Sequence, residues 1–162
     1  MANMRPSPHK NTSFWFMGDI ITFIITGEDT QGVYSMIETT VPPLHEIPVH
    51  IHHREDEGFY VLEGEFSYKY GSQMITSAKK GSYTYLKKTI PHNFKNESNS
   101  QGKLLTIITP PGYENFFKEL GVPITDSSSF SPPSGPPDLN KFAAVAKKYE
   151  LELLSPPSSS SL

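Results

Sequence analysis

The stretch His50-Ile51-His52-His53-Arg54-Glu55-Asp56-Glu57-Gly58-Phe59-Tyr60-Val61-Leu62-Glu63-Gly64 decides how this chain is read. Three histidines fall within four residues, and three acids follow almost at once. On a β-strand alternate side chains share a face. His50 and His52 therefore project together, roughly 6.6 Å apart at Cα. Two imidazoles at that spacing can converge on one metal at bonds of about 2.0–2.1 Å. His53 points to the opposite face. The chain must turn after His53 and return as a strand near Gly58, which sets Glu57 beside the paired histidines. Two histidines and one carboxylate form a facial set with open positions, as in non-haem iron sites. Glu57 is thus a metal ligand or a general base. A fourth candidate, His92, begins a later strand in Ile90-Pro91-His92-Asn93-Phe94. A sheet curled into a barrel would bring it across from His50 and His52. Phe59 and Val61 share parity with Glu57, and Phe94 shares parity with His92. These three would form an apolar pocket wall or pack as ordinary core. Glu55 and Asp56 read as a solvated turn in preference to groups supporting the ligands, and His45, among Pro42, Pro43 and Pro48, as a surface loop in preference to a residue lining the barrel mouth.

Outward from this stretch the chain reads as all-β. Fifteen prolines and eleven glycines punctuate it. Between them lie ten short runs rich in Val, Ile, Thr, Tyr and Phe, from Ser13 to Thr109. Short strands at such spacing predict a sandwich or barrel. Glu63-Gly64 and Gly71-Ser72 sit where hairpin turns belong. After Pro111 the period changes. Tyr113, Phe116, Phe117 and Leu120 share one helical face, with Gly121 as the C′ residue. A second helix is expected over Leu139–Tyr149, capped by Asp138, with Leu139, Phe142, Ala143, Ala146 and Tyr149 inward. The expected divisions are a flexible N-terminus (1–11), a barrel with its first trailing helix (12–124) and a Ser/Pro linker (125–137). A C-terminal helix (138–154) and a disordered tail (155–162) follow.

Composition excludes several classes. The 162 residues contain no cysteine, so disulfides, thiolate metal sites and cysteine nucleophiles are absent. The formal charge of −3 is small and mixed, which gives no nucleic-acid footprint. No apolar run approaches the 18 or more residues of a membrane helix. A cytoplasmic protein is the expectation.

The spacing H-x-H-x4-E-x6-G, taken from His50, His52, Glu57 and Gly64, resembles the first signature of the cupin superfamily. Gly81 to Asn96 resembles the second, through Gly81, His92 and Asn96. The wider phrasing is similar to single-domain quercetin dioxygenase-like cupins. Three family positions differ: Leu44 stands where the first signature has glycine, and Lys87 and Thr89 replace the proline and glycine of the second. These changes imply turns of different backbone shape. The resemblance implies a double-stranded β-helix barrel with two short C-terminal helices packed outside. It implies one divalent transition metal (Fe, Mn, Ni, Zn or Cu) held by His50, His52, Glu57 and His92, with Glu57 catalytic. It further implies an oxygenase acting with O2 on a small aromatic or enolic substrate, and a homodimer formed through strand edges. The alternatives are a non-catalytic metal- or ligand-binding barrel and a metal-assisted isomerase or lyase.

Overall fold

The computed structural model describes residues 12–135 and 138–154. The expected flexible N-terminus (1–11) and disordered tail (155–162) lie outside the described residues, as do residues 136–137 of the expected linker.

Each of the ten expected strands is present, with ends shifted by at most three residues. In chain order they are β1 (Ser13–Phe16), β2 (Asp19–Ile25), β3 (Ser35–Val41), β4 (His50–His52), β5 (Asp56–Glu63), β6 (Glu65–Tyr70), β7 (Gln73–Lys79), β8 (Tyr83–Leu86), β9 (His92–Asn96) and β10 (Gly102–Thr109). Then come α1 (Glu114–Leu120), β11 (Val122–Ile124), α2 (Leu139–Lys148) and β12 (Leu151–Leu153). One sheet runs β11-β1-β2-β3-β10-β5-β8 and the other β12-β4-β9-β6-β7. Every pairing between these strands is antiparallel. The fold is all-β, a double-stranded β-helix with two trailing helices. None of its helices is long and apolar enough to cross a membrane among the described residues.

Alternation builds the inner face. In β3 the inward residues are Ser35, Ile37, Thr39 and Val41, and in β10 they are Gly102, Leu104, Thr106 and Ile108. Several of these are polar, which a solid hydrophobic core would not tolerate unpartnered. The apolar interior divides accordingly. One cluster contains Val41, Val61, Phe66, Tyr68, Leu86 and Leu104. The other joins Phe14, Ile21, Phe23 and Ile37 to the inner faces of α1 and α2. A cavity lies between the two, bordered by Phe59 and Phe94 from the first and by Ile37 and Phe117 from the second.

The helices and the last strands depart from the sequence reading. The face that α2 buries is Phe142, Val145, Ala146 and Tyr149, whereas Leu139 and Ala143 are exposed. The spacing i, i+3, i+4, i+7 holds, but it starts one turn later. The helix also ends at Lys148, so residues 138–154 are not one helix: 151–153 form β12 and pair with β4. Gly121 is extended (φ −73°), not left-handed. A Cβ there would lie 2.6 Å from the Phe117 carbonyl oxygen and 2.8 Å from Phe14 Cβ, so glycine permits a close approach. At the other end of the chain, β1 is covered by β11.

Candidate metal centre

Three strands assemble the cluster, β4 and β9 from one sheet and β5 from the other. His50 and His52 lie on the same face of β4, with ring centroids 5.0 Å apart. β4 pairs with β9 so that His50 sits opposite His92, with rings 4.6 Å apart. Glu57, near the start of β5, completes the set. One ligand atom from each of His50, His52, Glu57 and His92 lies within 4.8 Å of the others, and all four residues are buried.

The imidazoles are oriented by the backbone. His50 Nδ1 donates to the Pro48 carbonyl and His92 Nδ1 to the Ile90 carbonyl, each at 2.9 Å. A carbonyl only accepts, so the proton sits on Nδ1 and Nε2 is left for the cluster. Glu57 Oε2 lies 3.0 Å from His92 Nε2 and 3.5 Å from His52 Nε2. Two ligands bound at about 2.1 Å to one ion and at right angles would sit about 3.0 Å apart. The donors are nitrogen and oxygen with no sulfur, which suits a borderline divalent transition metal. These residues fit such an ion.

Electrostatics agree with a cation-binding site. Burial, followed by the neighbouring His52 and His92, lowers His50 to about 3. Burial raises Glu57, but the surrounding imidazoles outweigh it and hold the carboxyl at about 2. Burial lowers His92, but its hydrogen bond to Glu57 and the carboxylate charge raise it above the ordinary imidazole range. An ionised carboxylate thus faces three histidines, two of which have their Nδ1 protons pinned outward.

Other expected residues fall differently. Phe59 and Phe94 line the cavity. Val61 does not, because it is fully buried in the first core cluster. Two inward steps separate it from Glu57 along β5. His53 faces outward as expected and pairs with Glu152 at 2.8 Å. Glu55 is not in a solvated turn. It is 1% exposed, its Oε2 lies 3.6 Å from His52 Nδ1, and neither oxygen has a hydrogen-bond partner. The turn between β4 and β5 has no strand parity, so nothing in the spacing pointed Glu55 inward. Tyr113 sets its ring edge-on to His52 at 4.4 Å. The helical face that held Tyr113 was legible, but its contact with the cluster was not. His45 is not a surface residue either. Its side chain is 8% exposed and borders the cavity 3.6 Å from Asp19.

Contrary to the expectation of different turns, Leu44 and Thr89 keep the backbone shape of the glycines they replace. Leu44 and Thr89 have φ of +57° and +68°, the left-handed region that glycine enters freely. Thr89 also donates its N–H to the His52 carbonyl at 2.8 Å. A β-branched residue there carries a cost of about 1–2 kcal/mol. Thr89 is exposed, so little packing is lost by truncating it. Thr89→Gly is expected to raise stability by about 0.5 kcal/mol or more, read as a higher urea midpoint. A lower midpoint would show that Thr89 is unstrained. Asn96 is structural: its amide nitrogen bonds the carbonyls of Val41, Pro42 and Ser100.

Residues 37–108 match the family described as Cupin domain. Over these residues the chain has the cupin fold. A quercetin 2,3-dioxygenase from Aspergillus japonicus is 26% identical over 112 residues, covering 65% of this chain and 32% of that protein. The chain therefore spans about a third of that relative's length. Among solved structures, a protein described as a predicted oxalate decarboxylase from Thermotoga maritima superposes with a TM-score of 0.52 at 20% identity. That match covers 56% of this chain and 78% of that one. An RmlC-like cupin from Shewanella frigidimarina superposes at 0.53 and 17% identity, over 72% of this chain and 96% of its own. These likenesses establish the cupin fold.

Asp19 carries a measurable burden. Burial alone pushes its carboxyl well above the ordinary value of 3.8. The folded state therefore holds a proton that the unfolded chain has released, and stability falls as pH rises above 3.8. Asp19→Asn removes that slope. The variant should match the wild type near pH 3.5 and exceed it by a margin that grows as pH rises above 3.8. Urea unfolding across that range checks this. A gap that does not grow with pH would mean Asp19 is ionised and partnered.

Proposed function

We propose that this cupin is a metal-dependent oxygenase acting with O2 on a small aromatic or enolic substrate. The observation that supports it most is the His50, His52, Glu57 and His92 cluster opening on a cavity walled by aromatic and aliphatic side chains. The similarity to a quercetin 2,3-dioxygenase points the same way.

His50, His52 and His92 would hold the ion through Nε2 and Glu57 through Oε2. A bound Fe, Mn, Ni, Zn or Cu ion would serve as a Lewis acid toward a phenolate or enolate oxygen. Phe59 and Phe94 would flank the substrate ring and exclude water. Tyr113 would brace His52 by edge-to-face packing. Glu57 is the candidate proton acceptor. While it faces the imidazoles it is a weak base. Moved away from them it loses the charges that hold it low, and burial, the largest influence, then strengthens it. Such a carboxylate can take the substrate hydroxyl proton at Oε2. Assembly as a homodimer belongs to this proposal. Light scattering at the mass of one chain would remove it.

The test is elemental analysis of purified, untagged protein, followed by oxygen uptake with a panel of phenols and enols. About one equivalent of a redox-active metal and substrate-dependent uptake support the reading. One equivalent without uptake on any panel member moves the protein to the isomerase, lyase or binding class. Absence of stoichiometric metal overturns the reading.

A further inference from the structure

Outside the His/Glu cluster, three buried polar atoms on cavity-lining residues lack a hydrogen-bond partner: Asp19 Oδ1, His45 Nε2 and Thr106 Oγ1. Buried polar groups are nearly always satisfied, so an orphaned set along one cavity calls for a ligand. Two of the three face each other. Asp19 Oδ1 and His45 Nε2 are 3.6 Å apart, too far for a direct hydrogen bond, and each side chain is less than one-tenth exposed.

The strand register places this pair away from the metal cluster. Glu57 lies opposite Ile108 on β10. Two residues along, Thr106 lies opposite Phe59 and Ile37. Two further, Leu104 lies opposite Thr39, which pairs with Ile21. Asp19 is the next inward residue of β2. The cluster and the pair therefore occupy opposite ends of the inner face, and both border the same cavity. Between them the wall is chiefly apolar, with Ile21, Ile37 and Phe59, and carries the hydroxyls of Thr39 and Thr106.

We infer that Asp19 and His45 form a second polar subsite that binds a hydroxyl group, so that the substrate is an elongated, mainly apolar molecule with oxygen at both ends. This rests on the cavity being the substrate site of the proposed oxygenase. A hydroxyl suits the pair because its one oxygen both donates and accepts. It can bridge two groups 3.6 Å apart whichever ring nitrogen carries the proton. Burial pushes the Asp19 carboxyl up and the His45 imidazole down. Burial thus favours the neutral form of both groups, which a neutral hydroxyl matches better than an ion. The position is prebuilt. The left-handed Gly18 (φ +98°) lets the β1–β2 turn approach His45, where a Cβ would lie 3.2 Å from the ring.

The test is calorimetric titration of the metal-loaded protein with two probes, 4,4′-dihydroxybiphenyl and 4-hydroxybiphenyl. The wild type should bind the dihydroxy probe about tenfold more tightly, the worth of one well-made buried hydrogen-bonded contact. Asp19→Leu and His45→Phe should each erase that preference while leaving the affinity for 4-hydroxybiphenyl within about twofold. Asp19→Asn should keep most of it, because the amide still donates and accepts, and this variant is expected to fold at least as stably as the wild type. Equal affinities in the wild type, a preference that survives both apolar replacements, or no binding of either probe would each overturn the subsite. Metal content, measured on the same samples, is independent of these outcomes and carries the oxygenase reading separately.

Discussion

Glu57→Gln should lower substrate-dependent oxygen uptake by about 10²-fold or more, the usual worth of a positioned proton acceptor, while the fold persists. Gln has nearly the same shape, so packing around the buried side chain is preserved. What is lost is the negative charge that draws His52 and His92 inward at 3.5 and 3.0 Å. An amide can still accept through its oxygen, but it takes no proton from a substrate hydroxyl. It is also a poor ligand beside three imidazoles. Metal content separates the two roles. Retained metal with lost uptake assigns Glu57 as the base, and lost metal assigns it as a ligand. Uptake unchanged from the wild type would remove Glu57 from the chemistry altogether.

Metal binding should raise the melting temperature strongly, and the increment should depend on pH. At a free ion concentration of 1,000 times Kd, linkage gives about 4 kcal/mol. For a chain of this length that corresponds to roughly 8–16 °C. The ligand nitrogens must be unprotonated to bind. His92 is raised above the ordinary imidazole value of 6.5, whereas His50 is lowered to about 3, so His92 is the first of these two to be protonated on acidification. The metal increment should therefore begin to fall above pH 6.5 and continue falling as acid is added. The metal-free protein behaves oppositely. Its His92–Glu57 pairing is fully stabilising below 6.5 and is lost as pH rises through the raised value of His92. The two melting curves should diverge with rising pH. His50→Ala/His92→Ala should abolish the increment, and a chelator should reverse it in the wild type. Equal increments in the double variant and the wild type would place the bound ion elsewhere.

Much of the site was readable because its logic is local. His50 and His52 are two residues apart on a strand, and a period of two puts them on one face whatever surrounds them. The alternation that oriented Phe59 and Phe94 works the same way. It overreached at Val61, because parity tells which face a residue occupies and not how far along that face a cavity extends. Asp19 was within reach of the same reasoning. It shares parity with Ile21 and Phe23 on an otherwise apolar face of its strand, which marks an inward carboxyl. Glu55, His45 and Tyr113 were beyond it. They sit in turns or on a helix, and their neighbours are residues from other strands.

The backbone at Leu44 and Thr89 makes a related point. Judged by residue type, both turns should differ from glycine turns, yet both take positive φ. The surrounding sheets over-determine the local conformation, and an unfavourable residue is carried along at modest cost.

The sequence by itself therefore determined an all-β chain, the pairing of His50 with His52, and the residue types of a nitrogen–oxygen metal site, because strand parity and ligand chemistry need no tertiary information. Only the tertiary structure decided that His92 lies across from His50 and that β12 flanks β4. It also decided that Glu55 backs His52 and that Asp19 meets His45 over the cavity. Each of these depends on which strands become neighbours when the sheets close. That choice is made by burial summed over the whole chain, and no short window of residues contains it.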